Sequence, residues 1–146
     1  MRYLIVHGPN LNLLGRREPE IYGRETLDEI NTWIREHPEF DEDSLIFFQS
    51  NHEGDILDTL HTNYGKVNGA VINPGALAHT SYVLRDAIAA VDYPVVEVHL
   101  TDINKRESFR KNSVIAEVCR SQISGQGKKG YLVALKTLKK GKKSKS

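Results

Sequence analysis

The chain has 146 residues, of which 39% are hydrophobic and 27% are charged, and its formal net charge is +1. This length fits one domain with a single core, and the composition excludes an intrinsically disordered protein. No apolar run is long enough to span a bilayer, and the N-terminus lacks the apolar stretch of a signal peptide. The single cysteine, Cys119, excludes an internal disulfide framework, so we expect a cytoplasmic protein.

The charge is unevenly distributed along the chain. Residues 1–117 hold all 19 acidic residues, whereas the part from residue 118 onward holds nine basic residues and no acidic one. The chain ends in KKGKKSKS, which predicts one folded domain over residues 1–140 and a Lys-rich flexible tail over residues 141–146. The tail has no aromatic side chain that could stack on bases, so we expect no nucleic-acid partner.

Short apolar runs rich in Ile, Val and Phe alternate with stretches of helical periodicity. The apolar runs predict strands at 3–8, 44–50, 69–73, 94–100 and 118–124. The helical stripes are Leu27, Ile30 and Ile34; Ile56, Leu57 and Leu60; Val83, Leu84, Ala87, Ile88 and Val91; and Tyr131, Leu132, Leu135 and Leu138. Thr26 with Glu29 predicts a capping box for the first helix, and Ser50 with Glu53 is a candidate for a second box.

Five strands with intervening helices predict a three-layer α/β sandwich built on a parallel sheet. The natural five-strand solution is a flavodoxin-like order, 2-1-3-4-5. In such sheets the ligand lies beyond the carboxyl ends of the strands, near the switch point between strands 1 and 3. We therefore expect the functional site at that edge.

The connections that follow the predicted strands are long and polar. They bring one set of side chains to the predicted edge: Asn10, Arg16, Arg17, Tyr22, Asn51, His52, Asn73, His79, His99, Thr101, Arg106 and Arg110. Arginines suit a carboxylate, and amides and hydroxyls suit alcohols. The sequence predicts a small, anionic, hydroxylated ligand.

Several familiar chemistries lack their residues here. The chain has neither a phosphate-binding G-x-x-x-x-G-K-[ST] loop nor a dinucleotide-binding G-x-G-x-x-G motif. His52 and Glu53 lack the second histidine of a zinc helix. A Schiff base needs a lysine, and the lysines before residue 128, Lys66, Lys105 and Lys111, lie outside the predicted strands. We therefore set aside phosphate-loop, dinucleotide, zinc and Schiff-base chemistry.

Tyr22 and the histidines remain as candidates for proton transfer. An arginine beside Tyr22 would stabilise its phenolate and let it act as a base, with His99 as the general acid. Tyr22 could equally be an aromatic side chain that packs its loop onto the core. His79 and His99 each follow a strand at the predicted edge, whereas the role of His52 stays open.

Five blocks of the sequence together resemble the type II 3-dehydroquinate dehydratases. The blocks are GPNLNLLGRREPEIYG, FQSNHEGDILDTLH, VINPGALAHTSYVLRDAI, VVEVHLTDINKRESFR and GYLVAL. They occur in the order of the family and cover nearly the whole chain except the tail. The resemblance implies a flavodoxin-like fold and the loss of water from 3-dehydroquinate to give 3-dehydroshikimate. That reaction belongs to the shikimate pathway of aromatic amino acid biosynthesis.

The resemblance also implies residue roles in a reaction that passes through an enolate without metal, organic cofactor or Schiff base. Tyr22 would be the base, Arg17 would stabilise its phenolate, Asn10 would hold the water that stabilises the enolate, and His99 would protonate the departing hydroxyl. Five residues would bind the substrate: Asn73, His79, Leu100, Thr101 and Arg110. The family assembles as a dodecamer built from trimers, in which Asp86 would reach the site of a neighbouring subunit.

The chain departs from the family pattern at a few positions. His7 stands where asparagine is usual, Thr101 replaces serine, Asn104 and Lys105 replace a His-Ala pair, and Ala90 replaces a glutamate of some members. None of these is the proposed acid or base. The alternative hypothesis is a non-catalytic flavodoxin-like module that binds a small hydroxylated carboxylic acid.

Overall fold

A computed structural model describes residues 1–141 and contains one five-stranded parallel sheet. The strands are β1 (Arg2–His7), β2 (Ser44–Gln49), β3 (Gly69–Asn73), β4 (Val95–His99) and β5 (Ser121–Ser124). Their order is β2-β1-β3-β4-β5, which confirms the predicted flavodoxin-like order. Strand β5 begins three residues later than predicted, because Ala116–Val118 forms a 3₁₀ turn.

Six α-helices connect or follow the strands within residues 1–141. They are α1 (Pro19–Tyr22), α2 (Leu27–Arg35), α3 (Glu53–Thr62), α4 (Leu77–Thr80), α5 (Tyr82–Ala90) and α6 (Lys129–Gly141). None of them is both long and apolar enough to cross a membrane. The predicted Lys-rich tail lies outside the described residues, except for Gly141, which ends α6.

The four predicted helical stripes lie on α2, α3, α5 and α6, but Val83 does not face the core. Val83 is half exposed, whereas Leu84, Ala87 and Ile88 of the same helix are buried. Helices α1 and α4 were not predicted, because a single turn of four residues is too short to show a hydrophobic period.

The start of α2 confirms the predicted capping box, whereas the box proposed for α3 is wrong. Thr26 Oγ1 accepts the N–H of Glu29, and Glu29 Oε1 accepts the N–H of Thr26. Helix α3 instead has His52 as its N-cap. Ser50 lies too far upstream to cap the helix, and its hydroxyl donates to Asp55.

Both faces of the sheet are covered, which explains the nearly continuous apolar strands. Side chains alternate along β1, so Tyr3 and Ile5 pack on the face that carries α2 and α6. Leu4 and Val6 pack on the opposite face, which carries α3 and α5. This confirms the predicted three-layer α/β sandwich.

His7 ends β1 on the face that carries α2 and α6, and its side chain is completely buried. Nε2 lies 2.8 Å from Oδ1 of Asn31, and Nδ1 lies 3.1 Å from the hydroxyl of Tyr131. Burial lowers the pKa of His7 to about 4, because the charged imidazolium would lose its hydration. His7 is therefore neutral at physiological pH.

In a His7→Asn variant, the free energy of unfolding should fall less steeply toward acid pH than in the wild type. The folded-state pKa lies below the ordinary value of 6.5, so the unfolded chain takes up a proton first as the pH falls. The wild type should lose roughly 3 kcal/mol through His7 between pH 6.5 and pH 4. Urea unfolding across this range, at fixed protein concentration, measures the difference between the wild type and H7N.

The matched control is H61N, which removes an exposed histidine of α3 and should leave the profile of the wild type unchanged. Parallel profiles for H7N and the wild type would contradict the neutral, buried state of His7.

Candidate active site

One cavity lies beyond the carboxyl ends of β1, β3 and β4, at the edge of the sheet that the topology predicts. Every predicted site residue except Asp86 lines it: Asn10, Arg17, Tyr22, Asn73, His79, His99, Leu100, Thr101 and Arg110. Arg106 lines it as well. Asp86 is exposed on α5 and lies outside this cavity, and Arg16 is also exposed and outside it.

The loops after β1 and β3 approach each other so closely that glycine is required. The N–H of Gly8 donates to the carbonyl of Asn73 at 2.7 Å. A Cβ atom at Gly8 would lie 2.6 Å from the carbonyl oxygen of Pro74, which is an impossible contact. This contact brings the loop that carries Asn10 to the loop that follows Asn73.

Asn10 has a left-handed backbone conformation, with φ 71°. Asparagine tolerates this region better than most residues. Its N–H donates to Oδ1 of Asn51 at 2.8 Å, and the amide of Gln49 donates to the same oxygen at 3.2 Å. Asn51, which the sequence placed at this edge without a role, therefore supports the conformation of Asn10.

Tyr22 ends α1 and lies between two guanidinium groups. Nη1 of Arg106 donates to the Tyr22 hydroxyl at 2.7 Å, and the Arg17 guanidinium carbon lies 4.7 Å from the centre of the ring. Tyr22 is half-buried and also packs against the core beneath it. Both interpretations of this residue, as a packing group and as a site group, therefore describe part of its environment.

Arg106 is the arginine that contacts the phenolic oxygen, and sequence reasoning gave it no role. Its position in the loop after β4 was the available signal. Arg106 and Arg110 share that loop, however, and their distances from Tyr22 depend on two 3₁₀ turns, Ile103–Lys105 and Ser108–Lys111. Arg110 lines the cavity and donates from Nε to the Glu107 carboxylate.

His99 ends β4 and is held by a buried carboxylate. Nε2 lies 2.5 Å from Oε2 of Glu97, whose side chain is fully buried, and the Ser113 hydroxyl donates to the same oxygen at 2.8 Å. Residues two apart on a strand point to the same face, so β4 itself brings Glu97 beside His99. The carboxylate fixes the orientation of the imidazole ring through Nε2.

Glu97 had no assigned role from the sequence, although a signal was present. A single acidic residue in the apolar run VVEVHL predicts a buried charge, and buried charges need a partner. The partner two residues away is a histidine of the site.

His79 lies on α4 with its ring stacked on that of His99. The ring centres are 6.4 Å apart, and the planes differ by 18°. Nδ1 of His79 lies 2.9 Å from the carbonyl of Asn112 and donates to it. This bond leaves Nε2 for contact with a ligand.

The charge of the cavity suits an anionic ligand. Three arginines line it, whereas no aspartate or glutamate is among the lining residues. Within residues 1–141, no group of three or more His, Cys, Asp or Glu side chains is placed to hold a metal ion. The expectation that the protein uses no metal or cofactor stays a prediction.

The fold and the site define a flavodoxin-like α/β protein with an arginine-lined cavity that holds a tyrosine and two histidines. The family model of the class II dehydroquinases matches residues 1–139. The 3-dehydroquinate dehydratase of Halothermothrix orenii is 54% identical over 137 residues, which are 94% of this chain and 93% of that protein. The enzyme of the same name from Bacillus subtilis is 50% identical over 136 residues, which are 93% of this chain and 92% of that protein.

Solved structures give the same result. The type II dehydroquinase of Butyrivibrio crossotus superimposes with a TM-score of 0.92 at 45% identity, covering 95% of this chain and 97% of that one. The chain therefore belongs to the class II dehydroquinase family. The predicted family and the predicted enzyme class, a hydro-lyase, are confirmed.

Replacing Ser113 with alanine should destabilise the folded protein by about 1–3 kcal/mol, because the buried Glu97 carboxylate loses a donor. Ser121→Ala is the matched control, since the Ser121 hydroxyl is buried without a hydrogen-bond partner among the described residues. Its removal should be neutral or slightly stabilising. Urea unfolding of both variants measures the difference, and equal midpoints would contradict the role given to Ser113.

Proposed function

We propose that this protein dehydrates 3-dehydroquinate to 3-dehydroshikimate in the shikimate pathway of aromatic amino acid biosynthesis, in the cytoplasm. Relatives that are 50% identical or more carry the name of this activity. The observation that carries the residue assignment is the placement of Tyr22 beside two guanidinium groups, those of Arg17 and Arg106, in the cavity that also holds His99. The shikimate pathway is proposed from the name of this activity, and the cytoplasmic location is proposed from the composition and the single cysteine.

The first step is removal of a proton from the carbon next to the substrate carbonyl. Tyr22 acts as the base in its phenolate form, which the hydrogen bond from Arg106 and the charge of Arg17 stabilise. The electrons of the broken C–H bond move to the carbonyl oxygen and form an enolate. A water held by Asn10 donates a hydrogen bond to this oxygen.

The second step is loss of the hydroxyl group. The enolate electrons form the new carbon–carbon double bond, the C–O bond breaks, and protonated His99 donates a proton so that water leaves. Glu97 supports the imidazolium before the transfer and fixes the ring through Nε2, which leaves Nδ1 for the proton that is donated. Exchange of protons with solvent then restores phenolate and imidazolium.

The substrate-binding residues match the functional groups of a hydroxylated carboxylic acid. Arg110 can pair with the carboxylate, and Asn73, His79 and Thr101 offer an amide, an imidazole and a hydroxyl for the alcohols, while Leu100 forms an apolar wall. A monomeric site of this kind is open to solvent on one side. Closure by a neighbouring subunit would exclude water from the enolate.

The proposed assembly is a dodecamer built from trimers, in which Asp86 contributes to a neighbouring site. Asp86 is exposed on α5 and lies outside the cavity of its own chain. Tyr82 and Val83 on the same helix are 67% and 50% exposed, so this end of α5 offers two adjacent apolar side chains that a neighbouring subunit could cover. Light scattering of the purified protein gives the subunit number.

The purified wild type should convert 3-dehydroquinate to a product with the ultraviolet absorbance of an enone. Tyr22→Phe should lower kcat by at least about 100-fold, because the phenyl ring cannot accept the proton. Substrate binding should be largely retained, since the ring keeps its packing. Steady-state kinetics together with calorimetric binding separate the two effects.

A folded wild-type protein that forms no enone would contradict the proposed function. The non-catalytic module predicts this result together with binding of dehydroquinate that Tyr22→Phe leaves unchanged. Borohydride added with substrate should leave the wild type active, because no imine forms.

The arginines near Tyr22 should differ sharply in their importance. Arg106→Ala and Arg17→Ala should each lower kcat by on the order of 100-fold, because each removes positive charge beside the phenolate. Arg16→Ala is the matched control and should change kcat by less than about twofold, since this neighbour is exposed and outside the cavity. Equal losses for Arg16→Ala and Arg17→Ala would mean that the assignment of the two residues is wrong.

A further inference from the structure

A hydrogen-bond chain, buried at His7, Tyr131 and Asn73 and partly buried at Asn31, joins α2, β1, α6 and β3 beneath the cavity. His7 and Asn73 end neighbouring strands and are paired in the register of β1 with β3. Tyr131 of α6 lies across both strand ends, with its hydroxyl 3.1 Å from Nδ1 of His7 and 3.1 Å from Nδ2 of Asn73. Asn31 of α2 completes the chain at Nε2 of His7.

The direction of each hydrogen bond follows from the groups involved. Asn73 Nδ2 is a donor, so the Tyr131 oxygen accepts from it and donates its own proton to Nδ1 of His7. Nε2 of His7 then carries the ring proton and donates to Oδ1 of Asn31. Burial raises the pKa of Tyr131 and lowers the pKa of His7 to about 4, so both groups are uncharged at neutral pH.

We propose that Tyr131 and His7 are positioning residues that hold the side-chain amide of Asn73 in its substrate-binding orientation. The inference rests on the proposed function, because it takes Asn73 to be a substrate ligand. Neither residue lines the cavity, so each acts through Asn73. The other end of the amide is fixed too, since Oδ1 of Asn73 accepts the N–H of Gly75 at 3.3 Å.

The arrangement decides which groups of Asn73 face a ligand. An asparagine amide can rotate by half a turn at little cost when both of its ends have similar surroundings. Here one end meets a hydroxyl that must accept and the other meets a backbone N–H, so only one orientation satisfies both. One amide N–H and one carbonyl lone pair then remain for the substrate.

His7 determines which partner donates in each hydrogen bond of the Asn31–His7–Tyr131–Asn73 series. A neutral imidazole with Nε2 protonated offers Nδ1 as a pure acceptor, which forces the Tyr131 hydroxyl to donate there and to accept from Asn73. Without that acceptor, the Tyr131 hydroxyl could donate its proton toward Asn73, and it would no longer have to accept the hydrogen bond from the amide. The order of Asn73 therefore depends on a residue two hydrogen bonds away.

Tyr131→Phe is the direct test, because it removes one oxygen from a closely packed site. We expect KM for 3-dehydroquinate to rise by roughly 5- to 30-fold, while kcat changes less than about twofold. Tyr93→Phe is the matched control: its hydroxyl is also buried and donates to the carbonyl of Leu60 at 2.7 Å, on the opposite face of the sheet. Tyr93→Phe should lower stability and leave KM unchanged.

A double-mutant cycle tests whether Tyr131 acts through Asn73. In an Asn73→Ala background, Tyr131→Phe should change KM by less than about twofold, because there is no amide left to position. An undiminished effect in this background would overturn the proposal. So would an unchanged KM in Tyr131→Phe alone, or the same rise in Tyr93→Phe.

Variants of His7 provide a conservative rescue. Asparagine places an acceptor oxygen near the position of Nδ1, so H7N should keep KM within about threefold of the wild type. H7F offers no acceptor and should raise KM like Tyr131→Phe. Equal KM values for H7N and H7F would overturn the role of His7.

Neutron crystal structures of the wild type and Tyr131→Phe locate the amide hydrogens and give a readout that needs no turnover. The Asn73 amide should hold one orientation in the wild type and rotate, or split into two, in the variant. An unchanged amide would overturn the proposal. Absence of turnover by the wild type would instead reject the proposed function, and this is seen before any variant is compared.

Discussion

The parallel pairing of β1 with β3 is the constraint on which the whole site depends. It sets His7 opposite Asn73 and brings the two following loops together, where Gly8 contacts the backbone of Asn73 and Pro74. Strand order then places β4 next to β3, so His99 enters the same edge. A shift of β1 by one residue in this pairing would turn His7 to the opposite face of the sheet, away from Asn31 and Tyr131.

This constraint requires polar side chains to be buried at the ends of the strands. Strands covered on both faces are apolar along most of their length, but their last residues must carry the polar groups of the site. His7, Asn73, Glu97 and His99 are all buried or nearly so, and each has a specific hydrogen-bond partner. An unpaired buried group would cost about 1–3 kcal/mol, so partners such as Tyr131 and Ser113 are needed wherever the site is built.

The sequence was sufficient for the sheet and for the edge that carries the site, because both depend on strong periodic patterns. The short apolar runs, the spacing of Leu27, Ile30 and Ile34, and the local Thr26–Glu29 box are properties of neighbouring residues. The resemblance to a family then supplied roles for the residues on that edge. These roles could not have come from spacing, since Arg16 and Arg17 are equivalent by composition alone.

The parts that could not be predicted depend on contacts between residues distant in the chain. Arg106 meets Tyr22 across 84 positions, and Tyr131 meets His7 across 124. Single helical turns such as α1, which aims Tyr22, leave no period to detect. The predicted Ser50–Glu53 capping box was wrong because the Ser50 hydroxyl has other partners. It donates to Asp55 and accepts the N–H of His52, ahead of the helix.

The departures from the family pattern fall where the structure can absorb them. Asn104, Lys105 and Ala90 are exposed. Thr101 keeps the hydroxyl of the usual serine, and this oxygen lies 3.4 Å from Nη1 of Arg106, the atom that donates to Tyr22. His7 is the departure with the most partners, since it is buried between Asn31 and Tyr131. His7 and Thr101 therefore depart from the family pattern at points where one donor or acceptor meets its partner, whereas Tyr22, Arg17, Asn10 and His99, the residues proposed to act on the substrate, match that pattern.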